Sequence, residues 1–392
     1  MSFLNDHPRL RWIAPVAAVG LIGATSVVTS SASADSGLPP RTAAQLLADV
    51  QQARLDSLSG TIVQTSDLGL PELPGVGSTA SGGGGSSSLT SMLSGTHTWR
   101  VWYAGPTTSR LALIGSLGES DVIRNDKDVW VWSSKDKTAT HYTLGSDAAS
   151  QKPVPASPTD LPRTPEEAAR KALEAVDPST EVSTSGTGVV AGRSVYELVL
   201  KPRDASSRVA QVRIAVDGER HIPLRVQVYS TKIVNPAFEV GFTSVDFAKP
   251  DARQFQFDPP PGTTVTESTQ GAPARPPGPS APGRPGAPKV VGTGWAAVLV
   301  APVPAALTGS ATGSATGSAT GSPAAPNPSG ANRAPEARQL EGILGAIPKT
   351  SGSWGSGRLV DGTLFSAVLT DDGRVAVGAV APERLYAALA AK

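Results

Sequence analysis

The sequence predicts an α+β protein, mainly antiparallel β, built as one large curved sheet with helices on one face plus a small C-terminal α+β domain. Three observations carry that reading. Short strand-like runs follow one another at separations of a few residues, the pattern of an antiparallel meander. Two amphipathic helices with clear start signals interrupt the runs. Of 392 residues, 41 are Gly and 35 are Pro, nearly a fifth of the chain, and they gather in stretches that cannot pack a core.

The elements follow in order. "HPRLRW" supplies a basic segment, "IAPVAAVGLIGATSVV" a short apolar run, and Ala32-Ser33-Ala34 a small-x-small site, so 1–34 reads as a cleaved signal peptide. A retained N-terminal anchor is the other reading of this segment, and either places the rest outside the cytoplasm. Thr42 to Gln45 forms a capping box, and Leu46, Leu47 and Val50 recur at helical spacing, predicting a helix that ends near Leu58. "GTIVQTS" reads as a strand, and 76–95, with its Gly/Ser run, as a flexible insertion.

The meander then comprises "THTWRVWYAGP", "SRLALIG", "SDVIRND", "KDVWVWSSKDK" and "TATHYTL". "RTPEEAARKALEAV" is the second helix, with Thr164 as cap, Pro165 in the first turn and Glu167 closing a box. Strands resume at "RSVYELVLKP", "SRVAQVRIAVDG", "IPLRVQVYS", "AFEVGFTSVDF" and "RQFQFDPPPG", with Asp217-Gly218 marking one turn. These elements form a domain over 35–265, followed by a Pro/Gly-rich linker at 266–289. The small domain spans 290–392. It begins at "VVGTGWAAVLVAP", is broken by a low-complexity insertion at 308–335, and continues with a helix carrying Leu340, Ile343, Leu344 and Ile347. Hairpins turning at Asp361-Gly362 and Asp372-Gly373 and the helix "PERLYAALAAK" complete it.

Composition and motifs exclude several functions. A net charge of +1 offers no general attraction to phosphate backbones, so no nucleic-acid partner is expected. The chain has no cysteine, which rules out disulfides, thiolate metal sites and a thiol nucleophile. Its four histidines lie far apart, none at metal-ligand spacing, and His141 reads as a satisfied or solvent-facing strand residue. No G-x-S-x-G or phosphate-binding loop occurs, and "GTGWAA" precedes a strand instead of opening a helix. Asp121, Asp126 and Asp128 read as solvated carboxylates near turns. No enzyme, metal or cofactor is expected.

What remains is an apolar sheet face. Alternation sets Trp99, Val101 and Tyr103 together, opposite Arg100 and Trp102. Leu111 and Leu113, Trp130 and Trp132, Leu198 and Leu200, Val226 and Val228, then Phe255 and Phe257 continue the pattern, and all are candidates for lining a hydrophobic groove. Two helices cover about half of such a face. A dry core is the other reading of the same residues.

Several stretches resemble a known family. "LSGTIVQTSDLGLP" (58–71), "RVWYAGPTTSRLAL" (100–113), "DVIRNDKDVWVWSSKDKTATHY" (121–142) and "FQFDPPPGTTV" (255–265) are similar to the superfamily of the lipoprotein carrier LolA and the sigma-E regulator RseB/MucB, most of all its actinobacterial members. The resemblance covers roughly 42–266. It implies an unclosed β half-barrel with a helical lid over a cavity that binds lipid or lipoprotein acyl chains. Membrane contact is then peripheral, at the outer face. The second domain matches the RseB-like arrangement, which implies the extracytoplasmic part of an anti-sigma factor as an alternative partner.

Overall fold

A computed structural model describes residues 37–69, 94–116, 118–144, 162–174, 176–268, 288–303, 345 and 347–391. The stretch read as a signal peptide and both low-complexity insertions lie outside these residues, except that 94 and 95 open a strand. The helix expected around Leu340 to Ile347 falls almost wholly outside them too. Among the described residues no helix is long and apolar enough to cross a membrane.

The described chain divides into two compact units, one holding residues up to Leu68 and from 94 to 268, the other Gly69 and the residues from 288 onward. The first unit is built on a twelve-stranded sheet. Its strands are β1 (Leu58–Asp67), β2 (Ser94–Tyr103), β3 (Thr108–Gly115), β4 (Gly118–Asn125), β5 (Asp128–Ser133), β6 (Thr138–Thr143), β7 (Thr180–Val190), β8 (Arg193–Pro202), β9 (Val209–Asp217), β10 (Pro223–Ser230), β11 (Pro236–Asp246) and β12 (Thr264–Ser268). Their spatial order is β12-β6-β5-β4-β3-β2-β1-β11-β10-β9-β8-β7. All neighbours are antiparallel except β12 and β6. The two ends of the order do not pair, so the sheet is open and not a closed barrel. This is the predicted mainly antiparallel α+β fold.

Two helices accompany the sheet. In α1 (Ala43–Gln52) the Thr42 hydroxyl accepts from the Gln45 N–H and Gln45 Oε1 accepts from the Thr42 N–H, the reciprocal box read from the sequence. The helix stops at Gln52, short of the expected end near Leu58, because Leu58 is already paired with Tyr103 in the ladder. Before α2 (Pro165–Glu174), Thr164 caps the Glu167 N–H, but the Glu167 carboxylate reaches one residue further back and accepts from Arg163.

Three expectations need correction. The polar run at β7 was not anticipated as a strand. It is an edge strand with one partner and carries a bulge between Thr184 and Gly186, so it needs no apolar alternation. The stretch "RQFQF" is not a strand: Asp251 accepts from the Arg253 N–H and starts a 3-10 turn over Ala252–Phe255. Beyond it, β12 runs through Ser268, into the stretch read as linker.

The second unit is a six-stranded antiparallel sheet in the order β13-β14-β18-β17-β16-β15. These are β13 (Lys289–Val291), β14 (Val298–Pro302), β15 (Lys349–Gly352), β16 (Gly355–Asp361), β17 (Ser366–Thr370) and β18 (Arg374–Gly378). Helix α3 (Pro382–Ala390) packs on β14, β17 and β18. Val298, Val368, Ala376, Val380, Leu385 and Leu389 are buried between helix and sheet, and Trp354 stacks on Tyr386 at 5.4 Å.

Candidate binding face

Directly paired residues in antiparallel strands point to the same side, so the register divides the predicted groove residues between the two faces. Trp99 pairs with Leu113 and Val101 with Leu111, while Leu111 in turn pairs with Val122 and Val122 with Val131. Through β1, Ile62 opposite Trp99 leads to Phe242, and Gln64 leads to Val240. Val240 pairs with Val226, Val226 with Ile214, and Ile214 with Leu198. One face therefore holds Trp99, Val101, Tyr103, Leu111, Leu113, Leu198, Leu200, Val226 and Val228 from the predicted set. Both helices lie on it. Tyr196, on this face, donates its hydroxyl to the Pro39 carbonyl just before α1, and Arg163, just before α2, lies 5.8 Å over the Trp99 ring.

Trp130 and Trp132 are on the opposite face, which corrects the expectation of a single apolar side. They pair with Ile123 and Asp121, residues that alternate with Val122. Phe257 covers both indoles, with ring centroids 5.2 and 5.7 Å away. Phe255, buried in the 3-10 turn, belongs to the same segment, which packs on β3 and β4. His141 stacks on Trp130 at 4.3 Å, with Asp128 and Glu267 oxygens 3.0 and 2.8 Å from its two ring nitrogens. It is a satisfied histidine, as read from its strand position. The valines that alternate with these tryptophans stand outside the predicted groove set. Val129 and Val131 are the apolar residues that β5 presents to the helix-bearing face.

The opposite face is also where charge is buried. Trp102 lies between the guanidinium groups of Arg100 and Arg110, each 5.3 Å from its ring. A polar cavity of about 230 Å³ opens there, lined by Ser59, Thr61, Arg100, Trp102, Ser244 and Asp246 among others. Asp121, expected to be solvated, has a fully buried side chain paired with Arg110, which also binds Glu119. Burial first, and then the Glu119 carboxyl, push Asp121 up to about 7 against the pull of Arg110.

A pH dependence follows. The folded state holds a proton that the unfolded chain releases near pH 4, so the unfolded state binds fewer protons across the window from about 4 to 7. Stability from this site is full at the acid end and lost as pH rises through 7. Asp121→Asn keeps the shape and stays neutral. Its melting temperature relative to wild type should therefore rise between pH 5 and pH 8, and a constant difference across that range would refute the buried proton.

On the helix-bearing face, burial falls off along the sheet. Leu198, Leu200 and Val226 are sealed, and Trp99 is only 4% exposed. Val101, Tyr103, Leu111 and Leu113 are half-buried. Val122 and Val131, further along, are 41% and 42% exposed. Tyr103 is held above the usual phenol range by burial and then by the carboxylates of Glu166 and Asp56. The result is an apolar strip from β2 to β5, closed at one end by Trp99 and α2 and open at the other. Among the described residues no group of three potential ligands could hold a metal.

No family model matches the chain, and no curated protein does. Solved structures do. A Pseudomonas aeruginosa MucA/MucB complex aligns over 88% of this chain and 96% of that one, at 18% identity and a TM-score of 0.41. A LolA superfamily protein from Nitrosomonas europaea aligns over 56% of this chain and 99% of its own at 12% identity and a TM-score of 0.21. The Mycobacterium tuberculosis lipoprotein LppX aligns over 51% and 93% at 12% identity and a TM-score of 0.26.

Proposed function

We propose that this chain is an extracytoplasmic, non-catalytic binding protein that holds an acyl chain of a lipid or acylated lipoprotein on the helix-bearing face. The observation that carries the reading is the strip Val101–Leu111–Leu113–Val122–Val131, continuous with a sealed core yet incompletely covered. Each methylene buried on such a strip contributes about 0.8 kcal/mol, so a single chain binds usefully but reversibly. The amphipathic helices beside it supply a lid, and the apparent signal peptide supplies the compartment.

The test is native mass spectrometry of residues 35–392 exported through their own signal, with solvent extraction of the same sample. A retained and identifiable lipid is expected. Leu111→Glu and Leu113→Glu should lose it while melting within a few degrees of wild type. Trp130→Glu, which puts a charge under Phe257 on the other face, should lower the melting temperature and leave lipid bound in the folded fraction. A clean apo mass with nothing extracted would overturn the reading.

A second reading, an envelope-stress regulator that binds the extracytoplasmic part of an anti-sigma factor, is favoured by the separate second unit with its own core. Capture of such a domain by the full chain would support it. Failure of the purified pair to associate would remove it.

A further inference from the structure

The helix-bearing face is mainly apolar, and Gln64 and Ser66 on β1 are among its few buried polar side chains. Gln64 on β1 and Trp99 on β2 are 2% and 4% exposed. Gln64 lies opposite His97 and Ile62 opposite Trp99, so Gln64 and Trp99 are diagonal neighbours on one side of the sheet. Gln64 Nε2 and Trp99 Nε1 are both buried with no hydrogen-bond partner among the described residues. Two adjacent orphan donors inside an apolar region are costly, about 1–3 kcal/mol each. A purely structural core would place leucine and phenylalanine here.

We infer that Gln64 and Trp99 form a donor pair that receives the carbonyl or carboxyl oxygen at the head of an acyl chain whose tail runs along Leu113, Leu111, Val122 and Val131. The inference rests on the acyl-binding reading and gives it a polarity. Both donors sit at the sealed end of the strip and the exposed valines at the other. From β1 to β5 is four strand spacings, about 19 Å, a length suited to a long acyl chain. Both donors are neutral amide or indole N–H groups, so the shared chemistry is an oxygen acceptor, found on a free fatty acid and on an acyl ester.

The experiment uses full mature chain and three probes of equal tail length: palmitate, methyl palmitate and methyl hexadecyl ether, which lacks the carbonyl. Wild type should bind the acid or ester at least tenfold more tightly than the ether. Infrared spectra of the carbon-13 carbonyl probe should shift to lower frequency on binding. Gln64→Leu and Trp99→Phe should each reduce the preference and together abolish it, with ether affinity unchanged. Both variants should melt at or above the wild-type temperature, since each removes an orphan donor.

The arms separate the outcomes. Preference for the ester over the acid assigns esterified chains, and the reverse assigns free acids. Equal binding of all three probes, an unshifted carbonyl, or variants that keep the preference all overturn the donor pair while the groove stands. Those results would leave the donors to buried water. A wild-type protein that binds none of the three probes overturns the groove reading and this inference with it.

Discussion

Asp217→Ala is expected to lower the unfolding free energy by about 3–5 kcal/mol, the usual cost of breaking a buried ion pair from one side. The Asp217 side chain is fully buried where β9 turns into β10. It accepts from the Arg193 guanidinium, including Nη2 at 3.1 Å, and from the backbone N–H groups of Glu219 at 3.1 Å and Arg220 at 2.6 Å. Burial pushes this carboxyl up, but the Arg193 fork and those N–H groups together hold it below the usual carboxylate range. Arg193 and Arg220 also lie over the Phe247 ring at 4.9 and 5.4 Å, so the substitution releases both cations from their places. Urea unfolding should show a lower midpoint at unchanged slope. A loss under about 1 kcal/mol would mean that water replaces every one of these bonds. Because the folded carboxyl titrates below the unfolded one, its contribution is present above about pH 4 and disappears on acidification.

The second large effect separates core from strip on one and the same face. Leu198→Ala should cost about 2–5 kcal/mol, because the side chain is wholly enclosed and its removal leaves a cavity. Leu111→Ala, half-exposed before any change, should stay under about 1 kcal/mol. If lipid occupies the strip, added lipid should raise the melting temperature of wild type and of Leu198→Ala alike, and that of Leu111→Ala much less. Equal destabilisation by the two substitutions would make the strip ordinary core. Equal protection by lipid would place the ligand elsewhere.

Much of this was legible in the residues. Both N-terminal caps, the five-strand meander from 94 to 143 and the turns at Asp217, Asp361 and Asp372 depend on neighbours a few positions apart, and local chemistry decides them. The strand β7 was not legible, because an edge strand paired on one side can be built from Ser, Thr and Gly. Nor was the fate of Asp121: near a turn a carboxylate is usually wet, and only Arg110 from the next strand and the cover over the sheet bury it.

The division of the candidate site shows the boundary most clearly. Alternation within a strand states which residues share a side, so Trp99 with Val101, and Trp130 with Trp132, were each grouped correctly. It does not state which side of one strand matches which side of the next. That depends on register, and a shift of one residue exchanges the two faces. In this sheet the register turns Trp130 and Trp132 away from the helices and under Phe257, and turns Val122 and Val131 toward the open strip. By itself the sequence determined the elements, their order and the presence of apolar surface. Only the tertiary structure decided which surface lies beside the helices and that Gln64 and Trp99 become diagonal neighbours within it, since both follow from pairings between residues distant in the chain.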